Sequence, residues 1–215
     1  MSIFVIGDIH GCFETFLVLK KKLPSNAKIC LVGDLIDRGP RSKEMLDYVI
    51  KNKILCVKGN HEEFLEYSRL NARADAAWLS NGGREALNSY RGKNHGIDIK
   101  LIKEHQAFVK TLPIYLDFDI KNNDGRRLVV SHSIIHKMWG KEENQNFSDT
   151  VLWGRQIPKD KHPAIYNIFG HTPSNKPIVT ETYANIDTGC CFMDMGFLTA
   201  IQFPEMNIIQ QRNLD

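Results

Sequence analysis

Short apolar runs that end in glycine and a polar side chain recur along the front of the chain. Ile3-Phe4-Val5-Ile6 leads into Gly7-Asp8, Ile29-Cys30-Leu31-Val32 into Gly33-Asp34, and Ile54-Leu55-Cys56-Val57-Lys58 into Gly59-Asn60. Each run has β-strand character and is closed by a glycine. The steps from Asp8 to Asp34 and from Asp34 to Asn60 are both 26 residues. Between the runs the apolar period becomes helical. Phe13, Phe16, Leu17 and Leu23 leave Lys20-Lys21-Lys22 outward as a solvated helix end, where cations suit the helix dipole. Ser42 is placed to cap a second helix carrying Met45, Leu46, Val49 and Ile50. Strand–helix–strand at this spacing predicts consecutive parallel crossovers. Parallel strands bring their carboxyl ends to one edge, so Asp8, Asp34 and Asn60 are expected side by side at the rim, where open α/β sheets place ligands.

The middle of the chain reads as helix. One helix continues from Glu62 to about Leu70. Another is capped by Asp98 and stopped by Pro113, with Leu101, Ile102, His105, Phe108, Val109 and Leu112 on one face. His105 lies in that stripe and reads as structural. The second half turns strand-rich, at 114–118, 128–131, 166–169, 178–180, 184–186 and 198–203, with Asn123-Asp124-Gly125 as a turn. The stretch 140–161 is polar and reads as partly irregular. No linker or low-complexity segment interrupts the pattern, so a single domain over residues 1–215 is expected.

Length and composition narrow the functional classes. A chain of 215 residues can bury a core without staples. Lysine and arginine number 28 against 25 aspartates and glutamates, a formal charge of +3. This balance gives no support to a nucleic-acid or membrane partner. The first residues show no signal-peptide pattern, and no apolar run is long enough to span a bilayer. The five cysteines have no C-x-x-C spacing. Cys30 and Cys56 read as core residues and Cys12 as a packing residue, so a reducing cytoplasmic setting is expected. His95, His136 and His162 lie in polar stretches and read as surface residues.

The chemistry lies in donors gathered at strand ends. Asp8 and His10, Asp34 and Asn60 follow the first three runs; His132 follows 128–131 and His171 follows 166–169. Two carboxylates, one carboxamide and three imidazoles form an oxygen/nitrogen set without thiolate. Such a set suits manganese, iron or zinc and disfavours a closed structural zinc site. Six donors exceed the needs of one catalytic metal and match two metals sharing a bridging carboxylate. Two such ions about 3.5–4 Å apart assist in-line displacement at phosphorus. Developing phosphoryl charge calls for further cations, for which Arg38 and Arg155 are candidates. A leaving alkoxide needs a proton: His61 stands next to Asn60 at the rim, and Asp37 is placed to orient it as a general acid.

These residues carry a family resemblance. Gly7-Asp8-Ile9-His10-Gly11, Gly33-Asp34-Leu35-Ile36-Asp37-Arg38-Gly39 and Gly59-Asn60-His61-Glu62 resemble the three signature blocks of the PPP-type metallophosphoesterases. Segments 78–83, 131–132, 152–155, 170–172 and 185–190 resemble the small bacterial and phage serine/threonine phosphatases of that family, and the likeness runs from Ile3 to about Phe203. It implies a four-layer α/β/β/α sandwich of mixed sheets flanked by helices, and a dinuclear centre holding manganese, with iron or zinc as alternatives. Asp8, His10 and Asp34 would hold one metal, and Asp34, Asn60, His132 and His171 the other. Arg38 and Arg155 would bind phosphate, and His61 with Asp37 would form the acid pair. The family has arginine where Lys58 stands, so Lys58 is expected as a third phosphate contact; lysine keeps the charge and loses the planar fork.

The expected function is a metal-dependent phosphomonoester hydrolase, foremost a protein-serine/threonine phosphatase, with a hydroxide on the metal pair attacking phosphorus in line. Its partner would be a phosphorylated protein or a small phosphate ester. Asp37 and Glu62 favour this reading, because the symmetrical dinucleoside tetraphosphate hydrolases usually lack the former and end the third block in aspartate. Symmetrical dinucleoside tetraphosphate hydrolysis is nevertheless the second reading. A polynucleotide-end phosphatase and an inactive binding module on the same fold complete the alternatives.

Overall fold

The first strand explains how the sandwich is built. β1 (Ile3–Ile6) is buried at every position. Its alternate side chains serve two cores: Phe4 and Ile6 pack toward helices, while Ile3 and Val5 face a second sheet. A strand covered on both faces has no polar position to alternate with, so it appears in sequence as an unbroken apolar run. β2 (Ile29–Leu31) and β3 (Leu55–Cys56) pair parallel to it in the order β1-β2-β3. On the other flank β1 pairs antiparallel with β9 (Phe197–Phe203), which pairs antiparallel with β10 (Ile208–Arg212). The first sheet thus runs β10-β9-β1-β2-β3.

The second sheet is mixed in the same way. β4 (Tyr115–Lys121), β5 (Arg127–Ser131), β6 (Ile165–Phe169), β7 (Ile178–Val179) and β8 (Tyr183–Asn185) take the order β4-β5-β6-β8-β7. The β5-β6 and β6-β8 pairs are parallel and the outer pairs antiparallel. Leu128, Val130, Tyr166 and Ile168 meet Val5, Cys30, Val32 and Val57 between the sheets. The outer face of the first sheet is covered by α1 (Phe13–Lys21), α2 (Ser42–Asn52), α3 (Asn60–Tyr67), α4 (Ala72–Trp78), α5 (Arg84–Ser89) and α6 (Ile99–Lys110). The outer face of the second is covered by α7 (Phe147–Trp153), where Phe147 and Val151 pack on Val129 and Ile165. This is the four-layer α/β/β/α arrangement expected from the resemblance. The computed structural model describes residues 2–92, 96–157, 162–192 and 196–215. Among them no helix is long and apolar enough to cross a membrane.

Several local expectations are met. Asp98 caps α6 by accepting the Leu101 N–H. His105 is buried, between the Tyr90 hydroxyl and the Asp47 carboxylate. Cys12, Cys30 and Cys56 are buried free thiols. Two expectations change, for Ser42 and His136, and that of a partly irregular stretch after Gly140 is met with a helix added. Arg41 precedes α2, and Ser42 lies inside its first turn, where its hydroxyl accepts the Asp37 N–H at 2.9 Å. The polar stretch after Gly140 contains α7, whose apolar face is supplied by Phe147, Val151 and Leu152. His136 is not a surface residue: it is only 6% exposed, its ring packed edge-on against those of His162 and Tyr183. His162 itself is half-buried, and His95 lies outside the described residues.

Candidate metal centre

Both sheets deliver donors to one rim. Asp8 follows β1, Asp34 follows β2, and Asn60 opens α3 just beyond β3; His132 follows β5 and His171 follows β6. Together with His10, these six side chains are at most 5% exposed. Asp34 stands between two groups. Its ligand atoms lie within 4.8 Å of those of His10 and His61, and likewise of those of His132 and His171. Oδ2 is 3.5 Å from His10 Nε2, while Oδ1 is 3.3 Å from His132 Nε2, so each oxygen addresses a different group.

Backbone carbonyls fix the imidazoles. The Nδ1–H of His10 donates to the Ile36 carbonyl and that of His132 to the Val32 carbonyl, each at 2.9 Å. Both rings therefore turn an Nε2 lone pair inward, as metal-binding histidines do. Burial pushes both below the usual histidine range, at His10 with help from the His61 charge.

The donors crowd together without enough protons. His132 Nε2 is 2.8 Å from Asn60 Oδ1 and 3.1 Å from His171 Nδ1, and His171 Nδ1 is 2.9 Å from Asn60 Oδ1. One proton on His171 satisfies at most one of these contacts, and the remaining lone pairs face one another. A cation among them turns that repulsion into attraction, and the donor set suits a hard-to-borderline divalent ion. Asp8 tells the same story. Its carboxylate accepts the His171 N–H at 3.0 Å, yet burial and the nearby Asp187 and Asp34 charges hold it well above the usual carboxylate range. Cations would relieve that mutual repulsion. The residues present thus fit a pair of divalent metals.

Asp187 is a third buried carboxylate, pushed up to about 6 chiefly by burial, with Asp34 adding to the shift. It lies in the family-like segment 185–190, but the sequence assigns it no role, because its approach to Asp8 and Asp34 depends on the fold. Gly170 marks how tightly the rim closes, since a Cβ there would overlap Asp8 Oδ1. His10, Asp34, Asp37, Arg38 and His171 all adopt left-handed backbone, with φ between +48° and +71°. Such clustering of strained non-glycine residues is typical of functional sites.

The pair expected to handle protons is assembled. His61 Nδ1–H donates to Asp37 Oδ2 at 2.6 Å, and Trp78 Nε1–H donates to Asp37 Oδ1 at 2.9 Å. Burial opposes an imidazolium here, but Asp34 and Asp37 outweigh it and hold His61 above the usual histidine range. Burial also pushes Asp37 up, against the pull of His61. Glu62 locks the frame, accepting the N–H groups of Asp34, Leu35 and Gly59 at 2.8–2.9 Å.

One guanidinium stands at each donor group. Arg38 Nη1 lies 2.6 Å from His10 Nε2, and Arg155 Nη1 donates to the His171 carbonyl at 3.2 Å. Segment 79–83 supports Arg38: the Arg38 N–H donates to the Gly82 carbonyl, and Gly82, at φ +103°, is packed against the Arg38 backbone and Cγ. Lys58 is brought elsewhere. Its ammonium is 2.7 Å from Glu66 Oε2, and this ion pair competes with any phosphate for it.

Residues 1–175 match the model of the calcineurin-like phosphoesterase family. The chain is 31% identical to "Bis(5'-nucleosyl)-tetraphosphatase PrpE [asymmetrical]" of Anoxybacillus flavithermus, the likeness covering 95% of this chain and 91% of the relative. Among solved structures it resembles one described as a candidate diadenosine tetraphosphatase, with a TM-score of 0.66 and 18% identity, covering 100% of this chain and 94% of the other. A protein serine/threonine phosphatase of Saccharomyces cerevisiae superposes with a TM-score of 0.56 and 15% identity, covering 100% of this chain and 77% of the other. These two structural likenesses speak to the fold alone. Two sheets that close donors of both onto a shared aspartate, together with a family match over most of the sequence, make this chain a metal-dependent phosphoesterase belonging to the calcineurin-like phosphoesterase family.

Proposed function

We propose that the chain hydrolyses the phosphoanhydride bridge of a dinucleoside tetraphosphate, cutting it off-centre. The observation that carries this is the placement of Arg38 at one donor group and Arg155 at the other. A guanidinium at each donor group offers a chain of several phosphates more than one bidentate contact. The naming of curated relatives along nearly the whole chain supports it.

Asp8, His10 and Asp34 would hold one divalent ion, and Asp34, Asn60, His132 and His171 the other. When bound, such ions polarise phosphoryl oxygens and acidify water. Arg38 and Arg155 grip the non-bridging oxygens and hold phosphorus over the rim. His61 carries its transferable proton on Nε2, because Nδ1–H is engaged by Asp37, and gives it to the departing oxygen. Asp37, fixed by Trp78, keeps the imidazole in that orientation. The ions fit manganese, with iron and zinc as alternatives of the same donor preference. The five free thiols support a reducing, cytoplasmic setting.

A second reading, phosphoserine or phosphothreonine hydrolysis, is favoured by the tight His61–Asp37 pair. A general acid matters most when the leaving group is a basic alkoxide, and least when it is a nucleotide phosphate. The deciding experiment presents diadenosine tetraphosphate and a phosphoserine peptide to manganese-loaded protein, with the nucleotides separated by anion exchange. The proposal expects ATP and AMP in equal amounts. Two ADP would mean symmetrical cleavage, and phosphate release from the peptide alone would establish the second reading.

A further inference from the structure

A cavity of about 520 Å³ opens beside the metal centre. Arg155 and Trp153 belong to its wall and to the rim at once: Arg155 is bonded to the His171 carbonyl, and the Trp153 indole stands edge-on to the His171 ring at 6.4 Å between centroids. The indole is held in place, with Phe64 against it at 5.1 Å and its Nε1–H donated to Glu63 Oε2. The volume lies in the range of sites for small organic ligands.

His136, 94% buried, also lines the cavity, and its two ring nitrogens have no hydrogen-bond partner among the described residues. Burial and the neighbouring His162 keep its imidazole uncharged, pushed down to about 4. A neutral imidazole offers one N–H donor and one acceptor. Asp149 and Lys137 also line the cavity, one charge of each sign, so away from Arg155 the wall has no formal net charge to draw an anion. The wall nevertheless includes Ile134 and the indole of Trp153. A flat, uncharged group bearing its own donors and acceptors matches the neutral imidazole and the indole together, while Arg155 remains for a phosphate at the rim.

We infer that this cavity, through His136 and Trp153, receives the heteroaromatic base of the nucleotide whose phosphates lie on the metal centre. The inference rests on the reading of the substrate as a nucleotide. Arg155, shared by cavity and rim, would mark where the phosphate chain passes from one to the other.

The test is inhibition of p-nitrophenyl phosphate hydrolysis by manganese-loaded protein, comparing AMP with ribose 5-phosphate. In the wild-type protein AMP should inhibit at least about tenfold more strongly, a ratio within the range of base–aromatic stacking. His136→Phe should bring the ratio down by at least about threefold, each variant serving as its own reference for folding and metal content. Adenosine should also perturb the His136 ring resonances in an NMR titration. Equal inhibition by the two phosphates in the wild-type protein would overturn the base subsite even if the tetraphosphate is cleaved. A clear AMP preference without tetraphosphate cleavage would uphold the subsite and overturn the proposed reaction. A preference that survives in His136→Phe, with no resonance shift, would place the base elsewhere and overturn the assignment.

Discussion

His61 and Asp37 are joined at 2.6 Å, and the second oxygen of Asp37 is tied to the indole of Trp78. The carboxylate thus has its position set from one side and sets the imidazole from the other. This arrangement is that of a base or acid held by an orienting group. Replacing His61 by Asn is predicted to lower turnover about 10²–10⁴-fold for substrates with alkoxide leaving groups and much less for p-nitrophenyl phosphate. Rates measured against leaving-group basicity, with metal content checked by mass spectrometry, read this directly. A uniform loss across leaving groups would remove His61 as the proton donor.

Glu62 joins the second and third donor loops through three backbone N–H groups. In Glu62→Gln, an amide in place of the carboxylate points a donor at donors. The substitution is expected to cost about 2–4 kcal/mol in urea unfolding and to weaken metal retention. A variant as stable as the wild type would show that the loops hold their positions without it.

Gly170 presses against Asp8, leaving no room for a methyl group. Gly170→Ala should displace the Asp8 carboxylate, lowering activity at least about tenfold and stability by about 1–3 kcal/mol. Retention of full activity and of both ions would mean that Asp8 tolerates the shift and is not held where the account needs it.

His136 gives the fold an acid sensitivity. The ring is buried and neutral, pushed down to about 4, whereas in the unfolded chain it titrates near ~6.5. As pH falls through about 6.5, the unfolded chain takes up a proton that the folded chain refuses. Stability is therefore lost between about pH 6.5 and 4, on the order of 2 kcal/mol for this group. His136→Phe should flatten that part of the profile in pH-dependent urea unfolding. An unchanged slope would mean that the folded ring accepts the proton.

The strand-end donors were readable because each belongs to a local pattern of an apolar run, a small residue and a ligand-type side chain. Parallel pairing of β1, β2 and β3 then brings Asp8, Asp34 and Asn60 together with no long-range information. The lone pairs around His132 and the contact of Asp8 with His171 depend on the second sheet, but its strands carried the same mark. Burial of His136 was not readable. It sits in a polar stretch and is covered by Tyr183 and His162, residues distant in sequence. Asp187 and Trp78 lie in family-like segments, but their roles were not readable, since these come from Asp34 and Asp37 rather than from their neighbours in sequence. β10, at 208–212, was missed because it is a half-buried edge strand with polar glutamines, paired with β9 at the end of the sheet.

The central claim is that Asp34 is shared by two cations. It is tested most directly by counting metal ions per chain, by inductively coupled plasma mass spectrometry after loading with manganese and gel filtration, in the wild type and in Asp34→Asn. The account predicts two ions per chain in the former and fewer than one in the latter. A single ion in the wild type, or two retained in the variant, would contradict it.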